Sequence, residues 1–119
     1  MTEPLVLGIE TSCDETGVAV LEGFDVRSFV LASQTEEHAR FGGVVPEVAA
    51  RAHVEAIRPL VHQALATAGV HSDQLDAIAA TRGPGLIGAL MVGFAFGKSL
   101  AWTLEKPFYG IDHMEGHLF

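Results

Sequence analysis

The chain has 119 residues, 49% of them hydrophobic, which is ample core material for one folded domain. Fifteen acidic against seven basic residues give a formal charge of -8, which repels phosphate backbones and excludes an unaided grip on nucleic acid. The single Cys13 excludes an internal disulfide and a Cys-based zinc site.

The longest uncharged stretch, Gly83 to Gly97, is shorter than the roughly 18 apolar residues a membrane span needs, so no membrane partner is expected. Met1 to Pro4 carries neither a basic segment nor a hydrophobic signal core, and a cytoplasmic protein is expected.

Leu5 to Glu10 alternates Leu5, Leu7 and Ile9, and Gly17 to Leu21 is a second apolar run, so the two predict a hairpin. Its turn, Thr11 to Thr16, holds three hydroxyls and the adjacent carboxylates Asp14 and Glu15. Two readings stay open: ordinary turn chemistry, or amides and hydroxyls that meet a phosphate while Asp14 or Glu15 positions a metal or a water. Cys13 reads as a small strand-end residue or as a nucleophile, and the absence of a neighbouring His or basic residue favours the former.

After a turn at Gly23 to Asp25, Arg27 to Ser33 predicts a third strand that completes an antiparallel meander. Gln34 to Val45, broken by Gly42 and Gly43, predicts a loop. Pro46 suits the first turn of a helix, with Glu47 near the positive end of its dipole. Val48, Ala49, Ala52, Ala56, Ile57, Leu60, Val61, Ala64, Leu65 and Ala68 form a core-facing stripe that ends at Gly69. Pro59 predicts a kink, or a split into two segments near Ile57. His53, Glu55 and His62 read as solvated helix residues.

Leu75 to Thr81 predicts a buried strand that Arg82, Gly83, Pro84 and Gly85 turn into an apolar helix, Leu86 to Leu104. Strand, glycine turn and helix can aim backbone N–H groups at an anion, although the same residues also serve as a plain tight connection. Gly88, Gly93 and Gly97 flatten one side of this helix for close packing on the sheet or on a partner helix, the latter allowing a dimer through Gly88 to Gly97. Phe108 to Ile111 predicts the last strand.

Beyond it lie Asp112 to His117. With a helix starting near Asp112, the i, i+4 spacing puts His113 and His117 on one helical face, able to share a divalent metal, while Glu115 points elsewhere. A catalytic centre normally takes three protein ligands, and nothing obvious here supplies the third. The order, three strands, helix, strand, helix, strand, makes this an α/β chain in which the histidines and the glycine turn both follow strand ends, where ligands gather in such sheets.

Four motifs, Leu7 to Thr16, His38 to Glu47 with Arg51 and His53, Thr81 to Gly85, and His113 to His117, closely resemble the universal tRNA threonylcarbamoyladenosine transferase family, called TsaD in bacteria and once named O-sialoglycoprotein endopeptidase. The resemblance implies one lobe of the actin, hexokinase and heat-shock ATPase fold, with residues 1–119 as the N-terminal lobe and a second lobe absent from this chain. It implies transfer of threonylcarbamoyl from threonylcarbamoyl-AMP to N6 of adenosine 37 in tRNAs that read codons beginning with A. By the same resemblance His113 and His117 match metal ligands, with iron the first choice and zinc the second, and Asp14 and Glu15 match acidic residues near the catalytic cleft.

ATP or threonylcarbamoyl-AMP is the nucleotide expected in the complete protein. The implied partners are tRNA, a shortened paralogue that pairs through the helices of this lobe, and an ATPase subunit. The fragment alone is expected to be inactive and to bind metal weakly. The alternative from another class is a non-catalytic interaction module, which has no need of the His pair. A zinc-peptidase reading lacks its general base, because Met114 stands where the motif needs Glu. A sugar-kinase-like activity is a further alternative on the same fold.

Overall fold

The computed structural model describes residues 3–11, 15–33, 46–83 and 87–112. Strands β1 (Leu5–Glu10), β2 (Glu15–Glu22) and β3 (Asp25–Ser33) form the expected antiparallel meander. Helix α1 (Pro46–Ala68), a 3-10 turn (Ser72–Gln74), β4 (Ala77–Gly83), α2 (Ile87–Leu104) and β5 (Phe108–Asp112) follow. The Gln34 to Val45 segment lies outside the described residues.

The sheet order is β3-β2-β1-β4-β5, with β4 parallel to both β1 and β5. Alternation along the strands gives each face its own residues. Leu7 and Ile9 of β1, Val18 and Val20 of β2, and Ile78 and Ala80 of β4 point to one side, where they join Ile57, Leu60, Val61 and Ala64 of α1 and Ala101 of α2 in a single core. Both helices therefore cover the same face. Gly93 and Gly97 are where α2 comes closest. A Cβ at Gly93 would meet the Thr11 side chain, and one at Gly97 would stand 2.8 Å from the Phe108 ring. At Gly93 and Gly97 α2 thus packs on the chain's own sheet, one of the two packings expected of it.

Among the described residues no helix covers the opposite face. Val26, Phe29 and Leu31 of β3 and Tyr109 and Ile111 of β5 lie on it, from 37% to 64% exposed.

α1 runs through Pro59 as one helix, contrary to the split expected near Ile57. Proline deletes one backbone donor, whereas Ile57, Leu60, Val61 and Ala64 on either side of it are buried. Packing of that stripe outweighs the missing bond. The helix ends as expected at Gly69, whose φ of +70° lets Val70 N–H reach the Leu65 carbonyl at 3.0 Å. α2 closes in the same way, with Lys106 N–H on the Ala101 carbonyl at 2.9 Å, but the left-handed position is held by Glu105, φ +56°.

Between β2 and β3 the register shifts, pairing Val20 with Ser28 but Leu21 with Val26, so Arg27 is an extra residue. Its guanidinium donates to the Ala68 carbonyl at 3.2 Å and to Glu22 at 3.1 Å. Ser28, buried, donates to the Ala64 carbonyl at 2.7 Å. Neither the bulge nor the 3-10 turn is expected from the sequence. In the latter, His71 accepts from Asp73 N–H at 3.2 Å and Gln74 reaches back to His71 N–H at 2.8 Å, a local capping role for that histidine.

Candidate functional site

β1, β4 and β5 run in parallel, so Glu10, Gly83 and Asp112 end at one edge of the sheet. From β1 the chain turns to β2 on one side, and from β4 it crosses to β5 on the other. The crevice between the ends of β1 and β4 is therefore the topological switch point, where ligands of open α/β sheets collect.

At that point the Thr81 hydroxyl donates to the Glu10 carboxylate across 2.7 Å. Thr81 is buried and Glu10 half-buried. Both side chains stand on the helix-free face, and Gly17 leaves room beside them for Phe29 and Leu31. The next residue, Thr11, points the other way. It is 1% exposed and its hydroxyl accepts from the Gly93 amide of α2 at 3.1 Å. Arg82 is exposed, with its side chain against Gly110, and with Leu90, Met91 and Phe94 it borders a shallow apolar depression.

Of the residues expected to carry chemistry, Glu15 opens β2, where it pairs with Ser33 and is exposed on the same face as Glu10. It thus belongs to a strand and not to the turn. Asp14, Cys13, Pro84, Gly85, His113 and His117 lie outside the described residues. β5 continues through Asp112, so a helix cannot begin before His113. Among the described residues no three His, Cys, Asp or Glu side chains group so as to hold a metal. Sequence reasoning missed Glu10 and Thr81. The available signal was a polar residue following the apolar run of each of two parallel strands, Leu5 to Ile9 and Ala77 to Ala80.

A larger groove between α1 and α2, lined by Val61, Leu65, Phe96 and Leu100 with His62 and His71 at its rim, lies at the other end of the sheet, beside the segment that leads into β4. Both histidines are exposed, as expected for His62. Among the described residues no helix is long and apolar enough to cross a membrane.

Comparison with known proteins places this geometry. The family model described as TsaD: tRNA N6-adenosine threonylcarbamoyltransferase matches residues 25–119. The chain is 55% identical over 118 residues to the tRNA N6-adenosine threonylcarbamoyltransferase of Bifidobacterium adolescentis, covering 99% of this chain and 34% of that protein. The like-named proteins of Desulforapulum autotrophicum and Clostridium perfringens are each 53% identical, with 97% and 99% of this chain and 35% of each protein covered. Among solved structures, YeaZ from Pseudomonas aeruginosa superposes with a TM-score of 0.71 at 26% identity, over 92% of this chain and 44% of that one. The chain spans about a third of the length of the curated relatives it matches.

Proposed function

Because the chain belongs to the TsaD family, the tRNA N6-adenosine threonylcarbamoyltransferases, we propose that it is the N-terminal lobe of such an acyltransferase. The observation that carries this reading is identity sustained across nearly the whole chain to relatives named for that reaction. The complete protein transfers threonylcarbamoyl from threonylcarbamoyl-AMP to N6 of adenosine 37 in tRNAs reading ANN codons. The N6 amine bonds to the carbamoyl carbon, the bond from that carbon to the AMP phosphate oxygen breaks, and the amine proton leaves to a base. Asp14 or Glu15 is our choice for orienting the amine or taking that proton.

His113 and His117 are read as two ligands of a divalent metal, iron before zinc, since imidazole suits both. Asp112, the residue before His113, pairs with Gly83 at the end of β5, beside the end of β4. When bound, the metal supplies Lewis acidity toward the carbonyl under attack. The third ligand and most contacts to the adenylate belong to a second lobe.

With a charge of -8 the lobe does not attract tRNA, which is held by the rest of the protein or by partner subunits in the cytoplasm. The paralogue and the ATPase subunit are the partners proposed. Because Gly93 and Gly97 of α2 face its own sheet, a partner meets the outward side of that helix, where Met91 is 64% and Trp102 86% exposed.

The test is reconstitution of the complete protein with its partner subunits, threonylcarbamoyl-AMP and tRNA. Modification of adenosine 37 in ANN-reading tRNAs is expected, and residues 1–119 alone should give none. An intact assembly that leaves that adenosine unmodified overturns the reading.

A further inference from the structure

We propose that Glu10 and Thr81 are a positioning pair. Their hydrogen bond sets the separation between the ends of β1 and β4 and so the width of the switch-point crevice. The proposal rests on the transferase reading for what the crevice does, and on geometry alone for how it is held.

The main-chain ladder between β1 and β4 runs from Val6 with Ala77 to Ile9 with Ala80. Glu10 and Thr81 are the next residues along, and there a side-chain bond of 2.7 Å joins the two strands. On its other side β4 departs from regular pairing with β5 between Thr81 and Gly83. Thr81 thus stands just past the last registered pair with β1 and just before a register shift with β5. A hydroxyl-to-carboxylate bond is short and charge-assisted, and partial burial shields it from competing water.

Two consecutive residues, Glu10 at the end of β1 and Thr11 just after it, grip β4 and α2 from opposite faces. Glu10 holds the strand before the turn, and Thr11 holds Gly93 in the helix after it. The far end of β1 has an analogous tie, with Leu5 N–H on the Asp76 carboxylate at 2.7 Å, but that link is exposed and remote from the crevice. In sequence Glu10 stands four residues before Asp14, and Thr81 three before Pro84. A shift between the strand ends therefore moves two family motifs relative to each other.

The experiment compares Thr81→Val, Thr81→Ser, Glu10→Gln and Glu10→Ala in the complete protein, by steady-state transfer kinetics and by hydrogen exchange at Thr11, Arg82 and Gly83. Thr81→Val keeps the shape and deletes the donor. It is expected to lower kcat about tenfold with KM for tRNA within about twofold, and to speed exchange at all three amides. Thr81→Ser should restore both, and Glu10→Gln, which keeps an acceptor, should lose far less than Glu10→Ala. Unchanged kinetics and exchange in Thr81→Val overturn the proposal. So does an inactive Glu10→Gln beside an active Thr81→Val, since Glu10 would then act through its charge and not through Thr81. If the wild-type assembly transfers nothing, the functional reading has failed, and exchange at the three amides still decides the pair.

Discussion

The amide of Gly93, inside α2, donates to the hydroxyl of Thr11, 82 residues earlier in the chain. This contact exists only because residue 93 has no side chain, for a Cβ there would run into Thr11 and come within 3.2 Å of Ile9. Gly93→Ala is expected to destabilise the complete protein by about 1–3 kcal/mol through overpacking. In the double variant with Thr11→Ala the loss should be smaller than the sum of the two single losses, as urea denaturation of all four proteins would show. Strict additivity would mean that the approach is relaxed elsewhere.

Pro59 gives a prediction of opposite sign. It sits exposed inside a continuous helix and supplies no N–H to it. Pro59→Ala should raise stability by about 1–3 kcal/mol, read from the denaturation midpoint at unchanged slope. A fall would show that the proline bends α1 to fit the sheet.

Glu105 holds a left-handed conformation in which glycine is at ease. Glu105→Gly should gain about 0.5–1 kcal/mol, while Gly69→Ala at the corresponding end of α1 should lose about as much. Calorimetry on the two variants gives both signs in one measurement.

Produced alone, residues 1–119 present a sheet face on which Phe29 is 63% and Leu31 51% exposed. Contiguous apolar surface of this kind drives association. The fragment is expected to bind hydrophobic dyes and to elute in gel filtration above its monomer mass. Phe29→Thr with Leu31→Thr should reduce both effects, and a monodisperse, dye-free fragment would contradict the argument.

For the metal, His113→Ala and His117→Ala are each expected to strip most of the bound iron or zinc from the complete protein, because losing one of few ligands removes a large part of the affinity. Elemental analysis of the purified variants provides the reading. Retention of a full equivalent in both would remove these residues from the site.

What could be read from sequence was whatever depends on near neighbours. The alternation of Leu5, Leu7 and Ile9 marks β1, the apolar stripe marks α1, and Gly69 marks its end, all within a few residues of the feature they determine. Of the kink or split expected at Pro59, the split does not occur: local bond loss was weighed without the tertiary packing of Ile57 and Leu60 that opposes it. Glu10 with Thr81 and Thr11 with Gly93 were invisible for another reason. Each pair spans more than 70 residues and becomes neighbours only through a parallel register that no short window contains. Glu15 was legible as an acid beside a turn, but its place as the first residue of β2 was not.

The last turn of α1 contains no basic residue, yet its terminal carbonyl at Ala68 faces a cation. Arg27 provides it from the next layer, and only because β3 has one residue more than β2 requires at that point. The negative pole of the helix is thus compensated by a loan from the hairpin. A homologue that trims the hairpin by that single residue must find a replacement charge on the helix itself, so the two loci are expected to change together or not at all.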